Sequence, residues 1–257
     1  MPQPNSIVRR LRAVSKRSPF AVTAVGLLIT LGLLTALETM SDAASGLDSA
    51  VRSWVLAHRS GVVTPTARAL THTGTSALLY PLVALAGLAV RLRTGRWAPA
   101  VAALAVVVTG VLSRLGLSKL VRDPRPPRAD WLVSAGGFSF PSGHAATSAL
   151  VAGALAWLLA GVIRSRWART VLVLGCAAWA VLVSLSRIYL GVHWISDVIG
   201  SWLLAGAWLS ALLASGAHRA PPRPGWRTAT RRPIRVTTGA LPHSTRSRQR
   251  RQKSWPR

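Results

Sequence analysis

The chain has 257 residues, half of them hydrophobic and 15% charged, with a mean hydropathy of +0.36; this balance points to a membrane protein. Its 32 lysines and arginines against six acids give a formal charge of +26, which suggests either nucleic acid or an anionic membrane surface as a partner. The bases lie between and beside apolar runs, which favours the membrane. The single cysteine, Cys176, excludes an intramolecular disulfide and reads as a small hydrophobe in an apolar run.

Residues 1–19 form a basic tail with Arg9, Arg10, Arg12, Lys16 and Arg17 and no acid. The apolar run 20–37 follows directly and is about the ~20 residues that cross a bilayer. No clear small-x-small cleavage site follows it, so it is expected to be an uncleaved first span and not a signal peptide. Residues 38–75 are mixed, with Val51, Trp54, Val55 and Leu56 near helical spacing, which predicts an interfacial helix along the membrane surface. His58 and His72 in this stretch lack partners at metal-binding spacing and are not expected to be functional.

Five further apolar runs, near 76–90, 98–117, 145–163, 170–185 and 194–215, complete six expected spans. The runs 76–90 and 170–185 are short, so their helices must extend into the flanks. Trp97, Trp131, Trp167 and Trp194 fall at run boundaries, as an aromatic belt would place them. Trp157, Trp179, Trp202 and Trp208 lie inside runs and are expected to pack or face lipid. Residues 216–257 are rich in Pro and Arg and free of acids, which predicts a disordered basic tail; contact with anionic headgroups is its modest functional reading. The expected architecture is therefore all-α: a six-transmembrane-helix bundle over 20–215, with an interfacial helix between spans 1 and 2, flanked by basic tails at 1–19 and 216–257.

Charge sets the expected orientation independently. With six spans, the N-terminal tail, the 91–97 and 164–169 loops and the C-terminal tail share one side; they hold 23 of the 32 bases and no acid. The positive-inside rule puts both termini in the cytoplasm. The segments 118–144 and 186–197 then face outward together, at the outer face of the cytoplasmic membrane.

Those two segments carry the candidate chemistry. Pro141-Ser142-Gly143-His144 ends a loop and begins a span, so Ser142 or a neighbour can cap the helix. Free backbone N–H groups and the positive dipole end suit an anion there, and Gly143 lets the backbone approach an oxyanion closely. His144 is placed to give a proton to a leaving oxygen. In the segment 186–197, His193 and Asp197 are spaced i,i+4, so on a helix they share a face. The carboxylate can accept the proton on one imidazole nitrogen and so raise the nucleophilicity of the other. Arg187, across a short turn, can bind phosphate through its planar fork. Four bases follow the third span, Lys119, Arg122, Arg125 and Arg128. On the outward side they run against the charge bias and call for an anion. Arg125, beside prolines of restricted φ, is the best fixed.

Together these stretches resemble the type 2 phosphatidic acid phosphatase (PAP2) superfamily, whose site is shared with vanadium haloperoxidases and glucose-6-phosphatase-like enzymes. The family pattern is Lys, six residues, Arg-Pro; then Pro-Ser-Gly-His; then Ser-Arg, five residues, His, three residues, Asp. The second and third parts match at every position. The first departs from the pattern: five residues, not six, separate Lys119 from Arg125-Pro126, and the expected lysine position holds Ser118. One residue turns a helical side chain by about 100°, so Lys119 carries over less firmly than Arg125, and Arg122 is its alternative.

The resemblance implies a metal-independent, two-step phosphoryl transfer. His193 would become a phosphohistidine with Asp197 orienting it, and His144 would protonate the leaving lipid oxygen and then help activate water. Arg125, Arg187, Ser142, the Gly143 N–H and Lys119 would bind the phosphate oxygens. No cofactor is implied, and no carboxylate cluster suited to Mg²⁺ is apparent. The expected substrate is a membrane lipid phosphate or diphosphate: polyprenyl diphosphate, phosphatidylglycerol phosphate, phosphatidate or polyprenyl phosphosugar phosphate. A lipid-phosphate phosphotransferase using the same residues and a non-catalytic lipid transporter or scaffold are the alternatives. Nucleic acid is not an expected partner, because the Arg-rich tail lacks interleaved aromatics.

Overall fold

The computed structural model describes residues 20–32, 35–36 and 46–215. The tails expected at 1–19 and 216–257 lie outside the described residues. The described chain is helical, without strands: α1 (Phe20–Gly32), α2 (Gly46–Ala57), α3 (Val63–Thr73), α4 (Ser76–Thr94), α5 (Ala98–Val121), α6 (Gly143–Ala160), α7 (Arg166–Tyr189) and α8 (Ile195–Ser215). Helices α4 to α8 are each long and apolar enough to cross a membrane, and the chain is a multi-pass membrane protein. Residues 33–34, inside the first expected span, lie outside the described residues.

The two short apolar runs do become full-length helices. Helix α4 runs on through Arg91 and Arg93 for 19 residues before Gly95, at φ 72°, closes it with an N–H to Arg91 O. Helix α7 reaches 24 residues by starting at Arg166, behind an Ser165 cap whose Oγ accepts from Ala168 N at 3.3 Å.

Between α1 and α4 the single interfacial helix expected from the sequence is two helices, α2 and α3. The break falls at Arg59–Val62, where Ser60 Oγ accepts from Val63 N at 3.2 Å. A residue that bonds its own neighbours in this way competes with a continuing helix. His58 is exposed, stacked on Trp54 with ring centroids 4.6 Å apart.

Helix α6 is the centre of the bundle and packs against α4, α5, α7 and α8. Small residues make this possible, as lipid-embedded helices require. A Cβ on Gly153 would lie 2.3 Å from Leu209 Cδ1, and one on Gly110 would lie 2.7 Å from Leu150 Cδ1. The core gathers Leu79, Val107, Leu150 and Leu158, with Trp157, Trp179, Trp208 and Cys176 packed partly buried around it. Trp202 donates to Ser184 Oγ at 3.1 Å. The alternation of spans brings the end of α5, the start of α6, the end of α7 and the start of α8 to one end of the bundle.

Candidate active site

Four short joints at that end hold the site. At the start of α6, Ser142 is fully buried and its Oγ accepts from Ala145 N at 3.5 Å, so this hydroxyl caps the helix. The turn is tied to α8: Ser142 N donates to Asp197 O, and Ser201 Oγ donates to Ser142 O at 3.0 Å. Phe140, with no exposed surface, fills the space opposite Gly200, where a Cβ would lie 2.4 Å from its ring.

His193 and Asp197 are paired, by a route different from one shared helix face. His193 lies in the loop ahead of α8, and Asp197 lies in the first turn of α8. Asp197 Oδ2 accepts the Trp194 N–H at 2.8 Å, as an acid three residues past a helix cap does. The same oxygen lies 2.9 Å from His193 Nδ1 and accepts from Ser139 Oγ at 2.5 Å. Both side chains of the pair are essentially inaccessible to solvent. Ser139 is a site residue whose role spacing alone does not reveal.

Arg125 locks the other face of His193. Its Nη1 lies 2.9 Å from His193 Nε2 and donates to Val192 O at 2.7 Å. Nε donates to Gly137 O, and Nη2 to Gly136 O and Phe138 O. An arginine has no acceptor, so Nε2 of His193 carries the lone pair and Nδ1 the proton that Asp197 receives. Burial, and then the positive charge of Arg125, Arg187 and Arg114, holds the His193 imidazole well below the usual histidine range.

Arg187 is 5% exposed at the end of α7. Its Nη1 donates to Thr71 Oγ1 at 2.7 Å, while Nε is buried without a hydrogen-bond partner among the described residues. Thr71, from the lead-in to α4, is thus a second supporting residue. His144 stands half-buried on α6; a Cβ on Gly74 would lie 3.4 Å from its Cδ2. The titratable groups that act on it are Arg187, His193, Arg114 and Arg125. Arg114 belongs to α5, and its Nε donates to Pro141 O at 2.8 Å. Lys119 is exposed near the end of α5, and Arg122 is exposed with its Nε on Lys119 O. The structure thus brings His144, His193, Asp197, Arg125, Arg187, Ser142 and Gly143 to one end of the bundle and leaves Lys119 on its outside.

Helix α2 closes the site from the flank. Asp48, 2% exposed, accepts from Ser196 N at 3.0 Å and from Ser196 Oγ at 2.9 Å, and so caps α8 from another helix. Arg52 Nε bonds Asp130 Oδ2 at 2.6 Å. Arg59 donates to the carbonyls of Asp130 and Tyr189. Gly191, at φ 74°, sits between these groups; a Cβ there would lie 2.4 Å from Asp130 O.

Residues 97–220 match the PAP2 superfamily. The chain is 29% identical to phosphatidylglycerophosphatase B of Bacillus subtilis over 67% of its length and 84% of that protein's. It is 47% identical to an undecaprenyl-diphosphatase of Sulfolobus acidocaldarius over 29% of the chain and 32% of the relative. With a lipid A 4'-phosphatase of Bacteroides thetaiotaomicron it shares 36% identity over 36% of the chain and 40% of that protein. The crystal structure of a transmembrane PAP2 type phosphatidylglycerolphosphate phosphatase from Bacillus subtilis superposes with a TM-score of 0.68 at 29% identity, covering 75% of this chain and 94% of that one. The site, the fold and these similarities agree in likening the chain to the PAP2 superfamily, whose model matches residues 97–220.

Proposed function

We propose that the protein is a metal-independent phosphatase of a membrane lipid phosphate or diphosphate, working through a phosphohistidine. The observation that carries this reading is His193 itself: a buried imidazole with Nδ1 on Asp197 and Nε2 on the Arg125 guanidinium, which leaves the proton on Nδ1 and the lone pair on Nε2. Nε2 attacks phosphorus, the bond from phosphorus to the lipid oxygen breaks, and His144 gives that oxygen its proton. Water then attacks phosphorus, His144 takes its proton, and the bond to Nε2 breaks to release phosphate. Arg125, Arg187 and the Gly143 N–H bear the charge on the equatorial oxygens. The buried, unpartnered Nε of Arg187 supports this role, since an orphaned charged donor inside a bundle calls for an acceptor. Lys119 serves this site only if its side chain turns inward from its exposed position.

The phosphatases among the relatives support hydrolysis over transfer to a second acceptor. We place the site on the outer face of the cytoplasmic membrane, with both termini inside, on the charge bias alone. Phosphate release from a panel of lipid phosphates in detergent with EDTA, comparing wild type with His193→Ala, tests the activity. Turnover by the wild type, its loss in the variant, and ³²P retained on His193 are expected; undiminished turnover in His193→Ala overturns the nucleophile. For the orientation, Ala129→Cys in a Cys176→Ser background should react with an impermeant maleimide on intact cells. Protection from that reagent until the cells are broken would reverse it.

A further inference from the structure

We propose that Arg114 binds the phosphate in this site, supplying from one helical turn deeper the cation that the family pattern places at position 118. The proposal rests on the phosphatase reading and adds to it a residue that no motif contains.

Arg114 stands in an otherwise apolar span, where a guanidinium is costly unless it meets an anion or a polar partner. Arg114 forms no ion pair with a described residue; the Asp197 carboxylate acts on it only from a distance. One polar partner is present, Pro141 O, which takes only Nε. Neither Nη1 nor Nη2 makes a hydrogen bond to a described residue. Both nitrogens lie over the start of α6, with Cζ 3.2 Å, Nη2 3.3 Å and Nη1 3.4 Å from the place a Cβ on Gly143 would take. Two nitrogens with four N–H donors therefore lie beside the first turn of α6, where backbone N–H groups lack helical partners.

The register explains how Arg114 comes to be there. Helices α5 and α6 are neighbours in sequence running in opposite directions, with Gly110 against Leu150. Position 118 is then about level with Gly143. Ser118 is buried on that face, and its hydroxyl carries no charge. Arg114 precedes it by four residues, about 6 Å along the axis and about 40° around it, a climb that the long arginine stem makes by snorkelling toward the polar end. Lys119, about 100° round from Ser118, is exposed.

The test uses the full-length protein in detergent and two readouts: kcat/KM on whichever lipid phosphate the wild type hydrolyses, and the Kd for inorganic phosphate by calorimetry. Arg114→Gln should lower kcat/KM and weaken phosphate binding, each by about 10- to 100-fold, as expected for lost hydrogen bonds to a charged group. Arg114→Gln combined with Ser118→Lys should recover at least tenfold in both, because it restores the cation at the level of Gly143. A clamp acting only on the Pro141 carbonyl would lower thermal stability in Arg114→Gln without such a recovery. If Arg114→Gln keeps wild-type phosphate affinity and kcat/KM, the proposal is overturned; if the double variant is no better than the single one, it is overturned too. Should Arg114→Gln not fold, Arg114→Lys carries the same test, with partial loss expected and unchanged phosphate affinity as the refutation. A wild type that binds inorganic phosphate but hydrolyses no lipid phosphate sinks the phosphatase reading, and the calorimetric arm still decides Arg114.

Discussion

Arg125 holds its guanidinium 2.9 Å from Nε2 of His193, on the atom proposed as the nucleophile. Every N–H of that guanidinium has a protein acceptor: His193 Nε2 and the carbonyls of Val192, Gly136, Gly137 and Phe138. The contact fixes the tautomer and covers the lone pair at once. A phosphate entering the site must draw Nη1 away from Nε2, exchanging a neutral acceptor for an anionic one, which is the stronger partner.

Replacing Arg125 by Gln should therefore change the pH dependence as well as the rate. Burial is the first cause of the low His193 pKa and the Arg125 charge the second. Removing a nearby cation stabilises the imidazolium, so the pKa rises and more of His193 is protonated at a given acid pH. The acid limb of kcat/KM should begin well below pH 6.5 in the wild type and move to higher pH in Arg125→Gln. A pH–rate profile of both proteins measures it; an unmoved limb would mean that Arg125 does not act on the His193 charge.

Ser139→Ala should reduce kcat with the fold intact. The lost bond is the 2.5 Å donation to Asp197 Oδ2, which with the Trp194 N–H steadies the carboxylate for His193. A hydrogen bond to a charged group contributes about 1.5–3 kcal/mol, so kcat should fall roughly 10- to 100-fold. Steady-state kinetics, with circular dichroism as the control for folding, measure it.

Arg187→Lys keeps the charge and loses the fork. A lysine could still reach Thr71 Oγ1 or the phosphate, but it has no planar pair of donors with which to serve both. Loss of about tenfold or more in kcat/KM is expected, with Thr71→Val producing a smaller loss of the same kind by freeing the guanidinium to drift.

Asp48→Ala tests the flank. It removes both bonds to Ser196 and leaves the start of α8 without its cap from α2. Cap loss costs about 0.5–2 kcal/mol, and leaving the two buried donors of Ser196 unpaired adds to this. A lower thermal midpoint in detergent and a raised KM are expected, because α2 borders His193 in the same cleft. Gly191→Ala should destabilise more, since its φ of 74° and the Asp130 carbonyl 2.4 Å from the new Cβ both oppose it.

How much of this was legible in the chain follows from the range of each interaction. Apolar length gave the five spans α4 to α8, because a bilayer demands about 20 apolar residues whatever the packing. The short motifs gave His144, His193, Asp197, Arg187, Arg125, Ser142 and Gly143, since each is set by a local joint of helix and loop. The division of 38–75 into α2 and α3 was not legible. It depends on Ser60 and Arg59 bonding elsewhere, including the Tyr189 hydroxyl and carbonyl more than a hundred residues away.

Arg114 had a visible signal, a lone charge in an apolar run, but nothing in its neighbours said what it faced. Ser139, Thr71 and Asp48 had less: each is a common polar residue until Asp197, Arg187 or Ser196 is brought beside it. The sequence by itself thus determined membrane spanning and the candidate residues that meet at one end of the bundle, because hydropathy and motif spacing act over one or two helical turns. Only the tertiary structure decided which side chains hold those groups and that Arg114, not Lys119, lies over Gly143. The reason is that small residues let α5 and α8 close on α6, and that close approach sets the level at which each long side chain meets the site.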